Sequence, residues 1–87
     1  MTQREQAIAL EIRRLAHEDL GLLWDGADGE EMAGRLDSLA LLALLVSVED
    51  RYRVRIGDEE AMQARSLADL ARLVARKLEE RAPEQAT

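Results

Sequence analysis

The residues best suited to chemistry are an acid and a hydroxyl, Asp37 and Ser38, at the entrance of the most apolar stretch of the chain, residues 36–48. A serine at a helix N-terminus lies beside backbone N–H groups without intrahelical partners and at the positive end of the helix dipole. Such a position suits a phosphate ester. The structural alternative is that Asp37 or Ser38 only caps the helix, which is the commoner role of an isolated Asp-Ser pair.

The rest of the sequence gives little support for a serine that acts as the nucleophile of its own catalytic site. Such a serine needs a neighbouring base, and the only histidine, His17, falls in the last turn of a predicted helix, where a surface or capping role is typical. The chain has no cysteine and therefore neither a thiolate nor a disulfide. We predict no catalytic residue, and we interpret Ser38 as a site that another enzyme modifies.

The glycine-rich segment between residues 21 and 35 carries four acids that could be interpreted as a calcium loop. They are Asp25, Asp28, Glu30 and Glu31. Their spacing does not match the alternating ligands and terminal glutamate of such a loop. A solvated acidic loop, pinned by Leu22, Leu23 and Trp24, is the better interpretation, and no metal site is predicted.

Helices must position these groups, because the apolar residues recur at helical spacing and the aromatic content is only 2%. Thr2 is the predicted N-cap of the first helix and Leu20-Gly21 its end; Ser66 with Asp69 opens the last helix. The predicted elements are a helix at 3–19, a long ordered loop at 21–35, a helix at 38–53, a short acidic helix within 57–62 and a last helix at 66–80. We expect one domain, residues 1–80, and a flexible C-terminal tail, 81–87.

The second helix carries eight consecutive apolar residues from Leu39 to Val46. Eight positions cover more than two helical turns and therefore point in every direction. Either part of this helix forms an apolar surface patch, or other elements wrap it on all sides; composition alone does not separate the two. The Asp37-Ser38 pair at its start favours a surface that partners use.

Charge and hydropathy narrow the possible partners. Twelve basic and eighteen acidic residues give a net charge of -6, which opposes binding to nucleic acid or to an anionic membrane surface. No signal peptide is recognisable, and no apolar run approaches the roughly 20 residues that span a bilayer. We expect a soluble, cytoplasmic protein without nucleic-acid or membrane partners.

At this point the sequence resembles the acyl carrier protein family, including its peptidyl and aminoacyl carriers. The Asp-Ser-Leu motif alone is weakly specific, whereas the ordered set of motifs is more specific and runs from about residue 34 to residue 78. The motifs are Gly34-Arg35-Leu36-Asp37-Ser38-Leu39, the acidic pair Glu49-Asp50 with Tyr52, Val54-Arg55-Ile56, the acidic Asp58-Glu59-Glu60, and Ser66-Leu67 at the start of the last helix.

The resemblance implies an all-α fold, a small four-helix bundle of acyl-carrier-protein type with three longer helices, one short helix and a long loop between helices one and two. Ser38 would carry 4′-phosphopantetheine, which a phosphopantetheinyl transferase transfers from coenzyme A. The thiol of this arm would hold an acyl or aminoacyl group as a thioester. Asp37 would help to engage the transferase and its metal. Leu39, the next residue after Ser38, would also belong to the cofactor-binding site.

The resemblance also implies that partner enzymes dock on the second helix. The expected docking residues are Leu39, Ala40, Leu41, Ala43, Val46, Glu49 and Asp50. The expected partners are the transferase, an acyl- or aminoacyl-activating ligase or an acyltransferase, and downstream biosynthetic enzymes, with the carrier itself a monomer.

Two features differ from the carriers of fatty-acid synthesis. Those carriers place acids early on the second helix, where this chain has Ala40, Leu41, Ala43 and Leu44. The difference predicts a dedicated partner with an apolar or mixed surface. The second feature is Leu36. A leucine at the position before the Asp-Ser pair resembles the stand-alone carriers of specialised pathways, such as D-alanyl or other aminoacyl carriers.

A second hypothesis is a non-catalytic helical interaction module or homodimer that uses the apolar second helix as its interface. For the carrier hypothesis, the position of the cargo stays open. It could be exposed, or it could lie in a cleft between helices. The candidate cleft residues are Leu45, Val48, Ile56, Met62 and Leu67.

Overall fold

The computed structural model describes residues 1–22, 29–34 and 36–86, with residues 33 and 82–86 described by their backbone only. This part of the chain contains four α-helices, three long and one short, and no β-strand. The helices are α1 (Gln3–Arg14), α2 (Ser38–Tyr52), α3 (Asp58–Gln63) and α4 (Leu67–Ala86). The expectation of a small all-α four-helix bundle is confirmed.

Helix α1 begins at a reciprocal cap. The backbone N–H of Glu5 donates to the Thr2 hydroxyl over 3.1 Å, and the N–H of Thr2 donates to the Glu5 carboxylate over 2.8 Å. The helix continues into a π-helical turn, Leu15–Asp19, and the chain then reverses at Gly21, whose φ of +66° lies in the region that favours glycine. The predicted extent of the first helix is therefore correct, but its last turn is wider than an α-helical turn.

The described end of the loop between α1 and α2 contains one turn of 3₁₀ helix, Met32–Gly34. The prediction of a loop at 21–35 therefore missed this one turn. The buried side chain of Met32 and its backbone N–H, which donates to the carbonyl of Arg65 over 2.7 Å, hold the turn against the start of α4. Of the proposed anchors, Leu22 packs against the core. Leu23, Trp24, Asp25 and Asp28 lie outside the described residues.

The carboxylate of Asp37 caps the start of α2, and the helix is followed by Arg53, which adopts the left-handed conformation with φ 56°. Leu44 and Val48 are its buried residues. The predicted end near Arg53 is thus correct to within one residue.

Helix α3 and helix α4 are joined by an ion pair between Glu60 and Lys77 with an N···O distance of 2.9 Å. Glu60 also accepts a hydrogen bond from the backbone N–H of Gly57 at the start of α3. This bond and the Lys77 ammonium lower the pKa of Glu60. At the start of α4, the N–H of Asp69 donates to the buried Ser66 hydroxyl over 3.0 Å, as the sequence predicts.

The end of α4 differs from the sequence-based boundary at residue 80, because the helix runs to Ala86. Arg81 explains why the fold extends further: its Nη1 atom donates to the carbonyl oxygens of Tyr52 and Arg53 at 3.0 and 2.6 Å. Arg81 therefore satisfies carbonyls at the C-terminal end of α2 and belongs to the folded domain. That the rest of the predicted tail, residues 81–87, is flexible stays a prediction.

The core is formed mainly by α1 packed against α4, with α2 and the loop turn closing it. Its residues are aliphatic, which agrees with the low aromatic content. Among the described residues, no helix is both long and apolar enough to cross a membrane. The most deeply buried large side chains are Ile12, Met32, Val48, Leu70 and Val74.

Candidate functional site

Ser38 is the first residue of α2, and it is exposed. Its hydroxyl makes no hydrogen bond within the described residues, although short polar side chains at helix starts commonly bond to the backbone. The capping role instead belongs to Asp37, whose Oδ1 atom accepts the N–H of Ala40 over 2.8 Å. The alternative left open by the sequence, Asp37 or Ser38 as cap, is thus resolved, and the Ser38 hydroxyl is available to another molecule.

The backbone around Ser38 favours an anion. Asp37 occupies the N–H of Ala40, whereas the N–H groups of Ser38 and Leu39 have no acceptor in the part of the chain that the structure describes. These groups lie at the positive end of a 15-residue helix. A phosphate ester on the Ser38 hydroxyl would therefore lie beside unpaired donors, and the residues present fit a phosphate-linked group.

Leu36 fixes the position of the Asp37-Ser38 pair. Its side chain is buried in the core, and its backbone N–H donates to the carbonyl of Met32 over 2.8 Å. Met32 is in turn hydrogen-bonded to Arg65 just before α4. The chain is therefore anchored in the core two residues before Ser38, and the exposed hydroxyl stands on a well-packed base.

Helix α2 presents an apolar stripe to solvent. Leu39, Leu42 and Val46 are exposed by 76%, 57% and 47% of their surfaces, and their spacing of three and four residues places them on one face. We call these three residues the α2 stripe. Of the two arrangements that the sequence left open, the structure shows the surface patch and not a fully wrapped helix.

The predicted docking residues divide between this face and its flanks. Leu39 and Val46 belong to the α2 stripe, whereas Ala40 and Leu41 are half-buried against the core and Ala43 is half-buried. Leu42 was absent from the prediction. Once Leu39 and Val46 are taken as docking residues, its place three residues after the first and four before the second puts Leu42 on the same face.

The acidic pair at the end of α2 has two different environments. The carboxylate of Glu49 accepts the backbone N–H of Ile56 over 2.7 Å and so ties the end of α2 to the segment before α3. Glu49 and Arg53 are four residues apart, but they form no ion pair in the described part of the chain. Asp50 is exposed, so of the two acids it is the one that continues the outward face.

An open cleft of about 390 Å³ lies between the loop turn, α2 and α3. Of the five residues proposed to enclose a cargo, Met62 lines this cleft, whereas Val48 and Leu67 are buried in the core and Leu45 and Ile56 pack against it. The cleft is lined by Glu31, Met32, Leu41, Ala61, Met62, Ala64 and Arg65. Its apolar wall therefore comes from Leu41 and Met32 rather than from the later residues of α2.

Comparison with protein families gives a match over residues 11–74 to the model described as phosphopantetheine attachment site. The chain belongs to this family. Its carrier proteins, of the acyl and peptidyl type, hold 4′-phosphopantetheine covalently, and 4′-phosphopantetheine is the cofactor of this carrier. Neither the curated proteins nor the solved structures gave a match to the carrier. The matched region runs from the last turn of α1 through α2 and α3 into the first part of α4.

Proposed function

We propose that the chain is a discrete acyl or aminoacyl carrier protein of a specialised biosynthetic pathway and that Ser38 bears its 4′-phosphopantetheine. The observation that carries the proposal is the exposed, unbonded hydroxyl of Ser38 at the N-terminus of α2 in a chain of the phosphopantetheine attachment-site family. The carrier has no catalytic role of its own; its partners perform the chemistry.

The roles of the residues at the start of α2 follow from their positions. The Ser38 oxygen becomes the ester oxygen of the phosphate link, and the unpaired N–H groups of Ser38 and Leu39 face the added negative charge. Asp37 holds the helix start and offers its exposed carboxylate to the transferase and its metal. When attached, the arm supplies the thiol that holds the cargo as a thioester.

The α2 stripe supports a dedicated partner. Exposed apolar surface that lies on one face of a helix is typical of a protein–protein contact, and Leu39, Leu42 and Val46 offer no charge to a basic partner surface. We therefore propose that the transferase, the activating ligase or acyltransferase and the downstream enzymes contact the stripe through apolar side chains, with Asp50 as the acidic end of the contact.

Modification by a broad-specificity phosphopantetheinyl transferase with coenzyme A tests the attachment site. We expect the intact mass of the chain to rise by one phosphopantetheine. The variant Ser38→Ala is expected to take up none, whereas Ser47→Ala, which removes a half-buried hydroxyl from the same helix, is expected to react normally. Uptake by Ser38→Ala would show that the arm is attached elsewhere.

A pair of leucine variants tests the docking surface. Leu42→Lys places a charge within the α2 stripe, whereas Leu10→Lys places the same charge at an exposed leucine of α1. We expect kcat/KM for the transferase reaction to fall about tenfold in Leu42→Lys and to stay within about twofold in Leu10→Lys, because a contacting side chain is worth about 1–2 kcal/mol. Equal rates for the two variants would mean that the transferase does not use the stripe.

The exposed stripe also favours a second candidate, a homodimer that buries α2 against α2. Sedimentation velocity over a range of concentrations distinguishes the two. A carrier with separate partners stays monomeric throughout, whereas a homodimer associates as its concentration rises and loses that association in Leu42→Lys.

A further inference from the structure

Basic residues are concentrated in one part of this acidic chain. Seven of its twelve basic residues, but only two of its eighteen acidic residues, fall in residues 51–55 and 72–81. The hydrogen bonds from Arg81 to the carbonyls of Tyr52 and Arg53 bring these two segments together. The segment just after α2 and the part of α4 that meets it are therefore locally basic, although Glu49 and Asp50 lie in the last turns of α2 and the chain as a whole carries a net charge of -6.

A surface pocket of about 290 Å³ lies at this junction. Its lining comes from the segment after α2 and from one side of α4, with the buried Val54 as its apolar part. Four of its six lining residues are basic, and Glu80 is the acid among them. The lining residues are Arg53, Val54, Arg55, Lys77, Glu80 and Arg81.

The four basic side chains are not equally available. Lys77 is paired with Glu60, and Arg81 uses its Nη1 atom to bind two carbonyl oxygens, which leaves its Nη2 and Nε donors. Arg53 and Arg55 are exposed, and within the described residues neither forms an ion pair. The pocket thus offers two free guanidinium groups and part of a third.

The backbone of Arg53 adds an independent observation. With φ at 56°, Arg53 is the one non-glycine residue with positive φ in the described part of the chain. This position immediately after a helix is most often glycine, because a side chain there costs on the order of 1 kcal/mol. Arginine is present at this position, close to Arg55, in spite of the backbone cost. This indicates that the side chain of Arg53 serves binding and not the stability of the fold.

We propose that Arg53, Arg55 and Arg81 form an oxyanion-binding pocket that accepts an aspartate or glutamate side chain of a protein partner. Guanidinium groups match the planar, two-oxygen geometry of a carboxylate. The carrier's own phosphate ester, if Ser38 bears it, is excluded as the ligand, because the 15 residues of α2 separate the pocket from Ser38 by about 20 Å.

A protein-borne carboxylate is favoured over a small free anion by the shape and place of the pocket. The pocket is open, so a free anion would keep most of its water and bind weakly. A carboxylate on a protein that already contacts the α2 stripe reaches the pocket at a high effective concentration. The choice of a docked partner rests on the proposed function, whereas binding of carboxylates by the pocket does not.

Amide chemical shifts of the full, unmodified chain test the pocket without involving the arm. The probe is a capped pentapeptide with glutamate at positions one, three and five, and the control peptide has glutamine there. We expect saturable shifts confined to Arg53–Arg55 and the neighbourhood of Arg81, only with the glutamate peptide and weaker at high salt. The absence of such shifts through the millimolar range overturns the proposal.

Two variants and a second ligand complete the test. Arg55→Gln is expected to weaken peptide binding about two- to fivefold, and the double variant Arg53→Gly with Arg55→Gln by about tenfold. Arg4→Gln, which removes an exposed charge from α1, is expected to leave the affinity unchanged. Equal weakening by Arg4→Gln would reduce the effect to net charge, and tighter binding of inorganic phosphate at the same residues would overturn the choice of a protein carboxylate.

Discussion

The substitution Glu11→Gln tests the contact that joins α1 to α2. The Glu11 carboxylate accepts hydrogen bonds from Arg14 in its own helix, at 2.7 and 2.8 Å, and from Nε of Arg51 in α2, at 2.7 Å. The Glu11 side chain is only 17% exposed. The substitution keeps the shape of this residue and removes the charge that both arginines share, so we expect it to destabilise the fold.

The pKa of Glu11 gives the magnitude. Hydrogen bonds from Arg14 and, to a smaller extent, from Arg51 lower this pKa from 4.5 to about 2, against the opposing effect of partial burial. A shift of that size corresponds to about 3 kcal/mol by linkage. Both arginines face solvent, which screens the pairs, and we therefore expect Glu11→Gln to lose about 1–2 kcal/mol of unfolding free energy at neutral pH.

Urea unfolding of the two proteins between neutral and acidic pH measures this difference. A carboxylate with a lowered folded-state pKa stabilises the fold above its unfolded pKa and loses that contribution as the pH falls. The stability gap between wild type and Glu11→Gln should thus be full at neutral pH and close as the pH falls from 4.5 towards 2. Glu79→Gln, an exposed charge change in α4, is the control. A gap that is absent at neutral pH, or independent of pH, would refute the reasoning.

Three further substitutions test the cap, the core and the left-handed residue by the same unfolding measurement. Asp37→Ala should lower the unfolding free energy by about 1 kcal/mol because the N–H of Ala40 loses its acceptor. Asp37→Asn should lose less, and equal losses in the two variants would contradict the capping role. Leu70→Ala should cost about 2–5 kcal/mol because Leu70 is fully buried; a cost below about 1 kcal/mol would contradict the packing. Arg53→Gly should raise stability by about 0.5–1 kcal/mol because glycine adopts φ 56° without strain; a loss of stability would show that the arginine side chain contributes more to the fold than its backbone costs.

Local signals in the sequence were sufficient to predict where α1 and α4 begin and where the first helix ends. The capping residues Thr2 and Ser66 are followed three residues later by an acid, and both predicted caps are confirmed. Gly21 closes the first helix with the positive φ that its type predicts. These features depend only on neighbouring residues, which explains their predictability.

The orientation of α2 could not be predicted, because eight consecutive apolar residues carry no periodic signal. Which face of α2 is exposed depends on where α1 and the loop turn pack. Because of this packing, Leu44 is buried and Leu42 is exposed. The contact of Glu11 with Arg51 joins residues 40 positions apart. The extension of the fold to Arg81 likewise depends on carbonyl groups 28 and 29 positions earlier, which no local pattern reveals.

The residues of the candidate site could be proposed from the sequence because they are neighbours in the chain. Asp37 and Ser38 adjoin each other, and their family is shown by the match over residues 11–74. The basic pocket was not predicted, because its arginines belong to two segments, residues 53–55 and residue 81, that meet only in the folded chain.

The anchorage of Leu36 in the core has a consequence for how far the arm can reach. Because Ser38 stands two residues after a buried side chain, the arm that we propose for it starts from a nearly stationary point and sweeps a restricted volume on one side of the bundle. The effective concentration of the cargo at a neighbouring active site is then set by the length of the arm and by the distance from Ser38 to that active site. A shift of α2 on an enzyme surface would move the centre of that volume and so select which active site the cargo can enter.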